Sequence, residues 1–136
     1  MAKILVAASP EPGAVIERVL AGHEISCAET MAQAEQLLRE RTFDLIICTI
    51  VFDESKMFDL LRHAKSSPEW QRIPFVCTRV MAHVLRSPTA LEAAAFTCRE
   101  LGAAAFLDIA AYRVEPEREM RDAIEVFLDT TSPTDT

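Results

Sequence analysis

The sequence contains few residues that are typical of catalytic or metal centres, and they are widely separated along the chain. No two cysteines stand at the Cys-x-x-Cys spacing that zinc sites and redox dithiols use. The three histidines are also far apart. We therefore predict reduced, buried thiols that pack as small apolar side chains, and a cytoplasmic protein. The four cysteines are Cys27, Cys48, Cys77 and Cys98.

Two further groups could take part in chemistry. Thr49 carries a hydroxyl, which is a weak nucleophile without a neighbouring base. We expect it to be a strand residue whose hydroxyl makes a local hydrogen bond. Asp53 and Glu54 could bind a cation, but such a pair more often begins a helix, where its dipole favours negative charge. No nucleophile lies beside a base, so the sequence does not predict an enzyme.

The elements that must position these residues are short apolar runs that alternate with helical stretches. Such alternation predicts an α/β domain with a parallel sheet, over residues 1–129, followed by a polar, flexible tail at 130–136. Functional groups of a parallel sheet gather beyond the carboxyl ends of its strands. Thr30 with Gln33, and Ser87 before Pro88, mark helix starts. The predicted strands are Lys3–Ala8, Glu24–Ala28, Phe43–Cys48, Ile73–Thr78 and Ala104–Leu107.

Charge and hydropathy exclude several classes of partner. The formal net charge is −7. Nucleic acid binding needs a basic face, and anionic membranes attract basic segments, so neither partner is expected. No apolar run approaches the length that spans a bilayer.

Four segments in order resemble the receiver domains of response regulators. Phe43–Thr49 is similar to the third strand, which ends in the phosphoacceptor aspartate. Phe58–Arg62 is similar to the start of the next helix, and Ile73–Val76 to the fourth strand. Glu100–Leu107 is a weaker match to the turn and the fifth strand. The resemblance implies a flavodoxin-like three-layer (βα)5 sandwich with strand order 2-1-3-4-5.

Nearly every functional position of that family is changed in this chain. The resemblance places the metal-binding acidic pair at Ala8 and Ser9, the phosphoacceptor at Thr49 and the fifth-strand lysine at Ile109. The fourth-strand hydroxyl falls on Arg79, or on Thr78 if the match slips by one residue. None of these residues supplies a carboxylate, so Mg²⁺ and phosphoryl chemistry should both be lost, and no metal or cofactor is expected. The family's switch aromatic is retained as Phe106.

The connection from Arg79 to Gly102 is longer than in the family by about two helical turns. The added residues, 81–86, are largely apolar and could plug the altered pocket or present a patch to a partner. Arg79 could enter the pocket and pair with Asp53 or Asp108, or it could point to solvent.

The resemblance therefore predicts a pseudo-receiver: a protein-interaction module of a two-component-type pathway that works without phosphorylation. Its partner surface, also the route to a homodimer, would be the face formed by the fourth helix, fifth strand and fifth helix. The alternatives are an atypical receiver still regulated by phosphorylation, and a flavodoxin-like domain that binds a small molecule. The stretch from Ser9 to Gly13 is too rich in proline and acidic residues for a phosphate loop.

Overall fold

The computed structural model describes residues 1–129, and the predicted tail at 130–136 lies outside the described residues. Five parallel strands form one sheet in the order β2-β1-β3-β4-β5, as predicted. The strands are β1 Lys3–Ala7, β2 Glu24–Ala28, β3 Leu45–Thr49, β4 Phe75–Arg79 and β5 Ala105–Asp108. The helices are α1 Pro10–Val19, α2 Met31–Glu40, one-turn α3 Phe52–Ser55, α4 Met57–Ser66, α5 Pro88–Glu100 and α6 Pro116–Asp129, and a 3-10 turn covers Ile109–Ala111.

The sheet has an apolar layer on each face, because its central strands alternate between two helical layers. On one face the buried side chains include Leu5, Ile46 and Phe75, which pack with α2, α4 and Cys98 of α5. On the other face Ile4 and Ile47 pack with α1 and α6. All residues of β3 are buried, as expected for a central parallel strand covered on both sides.

The predicted helix starts are confirmed. Thr30 accepts a hydrogen bond at its side chain from the Gln33 N–H at 3.1 Å, and the Gln33 side chain accepts from the Glu29 N–H at 2.8 Å. Ser87 accepts from the Ala90 N–H at 3.3 Å, and Pro88 follows in the first turn. No helix within residues 1–129 is long and apolar enough to cross a membrane.

The segment after β3 departs from the prediction of a helix that begins at Asp53 and Glu54. Three of the four residues of α3, Asp53, Glu54 and Ser55, adopt φ of 43°, 56° and 69°, so α3 is a left-handed turn and not a right-handed helix. This region of backbone conformation costs a non-glycine residue about 1–2 kcal/mol. The Asp53 carboxylate instead accepts from the Met31 N–H at 2.8 Å and lies 3.7 Å from the Lys56 ammonium. Asp53 therefore stabilises the N-terminus of α2, and the predicted third helix begins as α4 at Met57.

Candidate functional site

The carboxyl ends of the central strands bring the predicted positions together. Thr49 at the end of β3 pairs in register with Thr78 of β4, and Arg79 pairs with Asp108 of β5. Ala8 follows β1 and Ile109 follows β5, and both are buried among the apolar residues that pack against α1 and α6. The carboxyl end of the sheet therefore carries two threonines, one arginine and one aspartate, and it is the edge meant below when the edge of the site is named.

Thr49 is 2% exposed, and its hydroxyl oxygen has no hydrogen-bond partner within residues 1–129. The expectation that a local bond satisfies this hydroxyl is therefore wrong. The neighbouring Thr78 hydroxyl donates to the Cys48 carbonyl at 3.4 Å across the two strands. Thr78 thus has an acceptor in the sheet itself, whereas Thr49 faces a small cavity lined mainly by apolar side chains.

That cavity is very small. The centre of a water molecule can move through only about 10 Å³ of it, which is room for about one water. Ligand pockets are commonly 300–1,000 Å³. The lining residues are Pro12, Thr49, Ile50, Val51, Arg79, Val80, Met81 and Val84.

Arg79 is 9% exposed, so the alternative in which it points to solvent is wrong. Its Nε and Nη2 atoms donate to the two Asp108 carboxylate oxygens at 2.7 and 3.2 Å. Its Nη1 donates to the Ala82 and Val84 carbonyls at 3.2 and 3.0 Å. The alternative pairing with Asp53 is also wrong, because Asp53 is engaged with α2. Arg79 thus ties β4 and β5 to the inserted loop.

The inserted loop 81–86 has two apolar sides. Met81 and Val84 line the cavity beside Thr49, which agrees with the first of the two alternatives for this loop, that it plugs the altered pocket. Leu85, at φ 53°, lines a second and larger space between α4 and α5. This apolar groove has a volume of about 380 Å³. It is lined by Ile50, Ser55, Met57, Phe58, Leu85, Ala90, Ala93, Ala94 and Thr97.

The positions matched to the metal and lysine sites carry no charge. Ala8 donates its N–H to the Ala28 carbonyl at 2.9 Å, and the Ser9 carbonyl accepts from the Gly13 N–H at 3.0 Å, which begins α1. Ile109 is buried and starts the 3-10 turn. No group of three or more His, Cys, Asp or Glu side chains is placed to hold a metal ion within residues 1–129.

Three of the four cysteines are buried, but the prediction was wrong for Cys27, which is exposed on the edge strand β2. Cys48 and Cys77 pair in register and both are free thiols. Burial raises the pKa of the Cys48 thiol. A hydrogen bond between Cys77 and Cys98 raises the pKa of the first thiol and lowers that of the second. The Cys48 and Cys77 thiols are thus held protonated.

The predicted partner surface corresponds to α5, β5 and α6, and we call it the α5–β5–α6 face. β5 is an edge strand whose four residues are all partly exposed, including Phe106. Phe106 also packs against the core beneath α5. Two exposed apolar side chains lie on the flanking helices, Phe96 on α5 and Val126 on α6.

One polar cluster has no counterpart in the sequence predictions. The His23 Nδ1 accepts from the Ala2 N–H at 3.1 Å, so Nε2 carries the proton and donates to Glu125 at 2.8 Å. Arg121 lies 3.1 Å from the same carboxylate. The hydrogen bond from His23 lowers the pKa of Glu125 below its usual range. The partners are about a hundred residues apart in sequence, so no local pattern could have indicated the cluster.

Solved structures provide the comparison with known proteins. The signal receiver domain of a histidine kinase from Syntrophus aciditrophicus matches with a TM-score of 0.76 and 19% identity, over 100% of this chain and 96% of that one. The phosphorylated cyanobacterial phytochrome response regulator RcpA matches with a TM-score of 0.76 and 19% identity, over 99% of each chain.

The receiver domain of a sensor histidine kinase from Pseudomonas aeruginosa, solved with magnesium in its active-site cleft, matches with a TM-score of 0.71 and 16% identity, over 94% of this chain and 98% of that one. No protein-family model and no curated protein matches the sequence significantly. The matched domains share with this chain a parallel sheet of order 2-1-3-4-5 between helical layers. The chain therefore has the flavodoxin-like fold of response-regulator receiver domains.

Proposed function

We propose that this domain is a cytoplasmic, non-enzymatic signalling module of a two-component-type pathway that acts by protein contact and does not use phosphorylation. One observation carries the proposal. The edge where a receiver would bind Mg²⁺ and phosphate is filled by Arg79, Asp108 and the inserted loop.

The side chains at this edge support the loss of chemistry. Phosphoryl transfer to a carboxylate needs the nucleophile, a hard cation and positive charge on the transferred oxygens. Thr49 is buried and has no base within hydrogen-bond distance, since its hydroxyl makes no bond within the described chain. Arg79 lines the same cavity as Thr49, and its Nε, Nη1 and Nη2 atoms donate to Asp108 and to the Ala82 and Val84 carbonyls.

The same contacts support a single conformational state. The Pseudomonas neighbour was solved with magnesium in its cleft, and RcpA was solved phosphorylated. In this chain an internal guanidinium and an apolar loop occupy the corresponding edge, so the fold is complete without either ligand. The surface offered to a partner would therefore not depend on either ligand.

The α5–β5–α6 face is the surface we assign to that partner. An edge strand presents unpaired backbone groups, and exposed apolar side chains such as Val126, 50% exposed, favour burial against another protein. A homodimer through this face is the form of contact that the resemblance implies.

Titration followed by NMR tests the proposal. Mg²⁺ with beryllofluoride, a phosphoryl mimic, is added to the labelled domain, and amide shifts of the Thr49, Thr78 and Arg79 region are recorded. We expect no saturable change up to millimolar Mg²⁺. The Pseudomonas receiver domain, which binds magnesium, serves as the positive control. Saturable shifts centred on Thr49 would show that the chain is an atypical phospho-receiver instead.

The small-molecule alternative receives little support from this edge. A cavity with room for about one water cannot hold an organic ligand without displacing Met81 or Val84. The hydrogen bonds from Arg79 to the Ala82 and Val84 carbonyls hold the backbone of this loop in place.

A further inference from the structure

The helix α5 has a single buried side chain to hold it on the sheet. Within this fully described helix of 13 residues, Cys98 is the only buried residue. The neighbouring helix α4 has four buried residues in 10: Met57, Leu60, Leu61 and Ala64. Packing of an apolar face provides most of the stability of a helix in a protein. We therefore expect α5 to open locally at a lower free energy than α4.

The buried residue of α5 belongs to a cluster of three thiols. Cys48 of β3 and Cys77 of β4 stand in register on neighbouring strands, and Cys98 packs in the same apolar layer. All three side chains are 0% exposed and all three are free thiols. The thiols of Cys77 and Cys98 are joined by a hydrogen bond. Two thiols in contact need only a small displacement to reach the S–S bond length of about 2 Å.

We propose that Cys77 and Cys98 are a reversible redox pair, which hydrogen peroxide converts into a disulfide that fixes α5 to β4. The Cys98 sulfur first attacks a peroxide oxygen. An S–O bond forms, the O–O bond breaks, and the departing hydroxide leaves as water with the Cys98 proton. The Cys77 sulfur then attacks the Cys98 sulfur. The S–S bond forms, the S–O bond breaks, and the hydroxide leaves as a second water with the Cys77 proton. The two sulfurs together lose two electrons, which reduce one peroxide to two waters.

The hydrogen bond between the two thiols sets the order of these steps. It raises the pKa of Cys77 and lowers the pKa of Cys98, and the adjacent Arg99 lowers the latter further. The thiolate is the form that attacks a peroxide, so Cys98 is oxidised first and Cys77 completes the disulfide. Cys98 is also carried by the helix that covers the sheet. Local opening of α5 therefore admits a small, uncharged oxidant to this thiol first.

The disulfide would close a loop that contains the inserted segment 81–86 and most of α5. A cross-link restricts the open states of such a loop, so oxidation should suppress the local opening of α5. Because α5 forms part of the α5–β5–α6 face, the oxidised protein would present that face in a more rigid form. This last consequence rests on the proposed function, whereas the disulfide itself does not.

Peroxide treatment of the full chain carrying Cys27→Ser tests the proposal. This substitution removes the exposed thiol and with it any disulfide between copies. Trypsin cleaves after lysine and arginine, which places Cys48, Cys77 and Cys98 on three separate peptides. We expect mass spectrometry to find the Cys77 and Cys98 peptides cross-linked, and dithiothreitol to separate them.

Two measurements on the folded protein test the effect on α5. Amide hydrogen exchange in α5 should slow by about tenfold or more on oxidation, while exchange in α1 stays unchanged. The Tm of the oxidised protein should exceed that of the reduced protein by about 5–10 °C. Unchanged exchange in α5 in a protein that carries the cross-link would refute the claim that the bond fixes this helix.

Variants of the cluster assign the roles of the thiols. Cys48→Ala is the matched control, because it removes the third buried thiol and should leave the cross-link intact. Cys77→Ala should stop the reaction at a Cys98 sulfenic acid, which dimedone traps. Absence of a cross-link in a protein that stays folded by circular dichroism would overturn the inference, as would a bond between Cys48 and Cys77. The peptide mapping needs no substitution within the cluster, so it does not depend on these variants folding. Neither result affects the magnesium and beryllofluoride titration, so the two proposals fail independently.

Discussion

Substitution of Arg79 by methionine is the most direct perturbation of the altered edge. Methionine keeps an unbranched apolar stem about as long as the arginine stem to Nε, but it removes the guanidinium. Four hydrogen bonds then disappear: two to Asp108 and one each to the Ala82 and Val84 carbonyls. The Asp108 carboxylate is left without its cation next to a largely apolar edge.

The expected loss of stability follows from burial. Removing one partner of a buried ion pair costs about 3–5 kcal/mol, because the other charge is left uncompensated. The Arg79 side chain is 10% exposed but that of Asp108 is 32% exposed, so water can solvate the remaining carboxylate. We therefore expect Arg79→Met to lower the free energy of unfolding by about 2–4 kcal/mol.

Urea denaturation measures this value from the transition midpoint at constant slope. The double variant Arg79→Met with Asp108→Asn removes both charges together. The double variant should lose less free energy of unfolding than the sum of the two single losses, by about 1–3 kcal/mol. The reason is that no unpaired charge remains in the double variant. Two results would contradict the assigned role of Arg79: additive losses in the double variant, or an Arg79→Met variant whose free energy of unfolding is within about 0.5 kcal/mol of the native value.

Two further predictions concern buried and titrating groups. Thr49→Val replaces a buried hydroxyl that has no hydrogen-bond partner by a methyl of the same shape. The free energy of unfolding measured in urea should therefore rise by about 1 kcal/mol. A loss of that size would show that the Thr49 hydroxyl does have a partner. The His23 hydrogen bond lowers the pKa of Glu125, so the carboxylate stabilises the fold above its unfolded pKa and loses that contribution as pH falls through the lower, folded value. Glu125→Gln should therefore flatten the acid side of a thermal stability profile below about pH 5, and an unchanged slope would count against the pair.

Much of the fold could be predicted because it depends on local pattern. Each buried strand is a short apolar run, and two of the long helices begin at a capping side chain, Thr30 or Ser87. The alternation of these elements then determines the parallel sheet. Several strand limits differ from the predicted ones by one or two residues. The third strand was predicted to begin at Phe43, but its pairing begins at Leu45. Hydrogen bonding to the neighbouring strand, and not the type of side chain, decides where a strand begins.

The details of the site depended on contacts that local patterns do not encode. The direction of Arg79 is decided by Asp108, which lies on another strand. The left-handed turn at Asp53 to Ser55 contains no glycine, so the usual marker of positive φ was absent. Cys27 is exposed because β2 is an edge strand, a property of the assembled sheet.

The Arg79–Asp108 pair also constrains how such an edge could arise by single substitutions. An ancestor that gained Arg79 first would bury an unpaired guanidinium, whereas one that gained Asp108 first would hold a carboxylate at a partly hydrated position. The second order is the one with the lower barrier. Once both residues are present, changing either one alone leaves an unpaired charge and is costly. The pair would therefore disfavour reversion to the earlier residues by single substitutions.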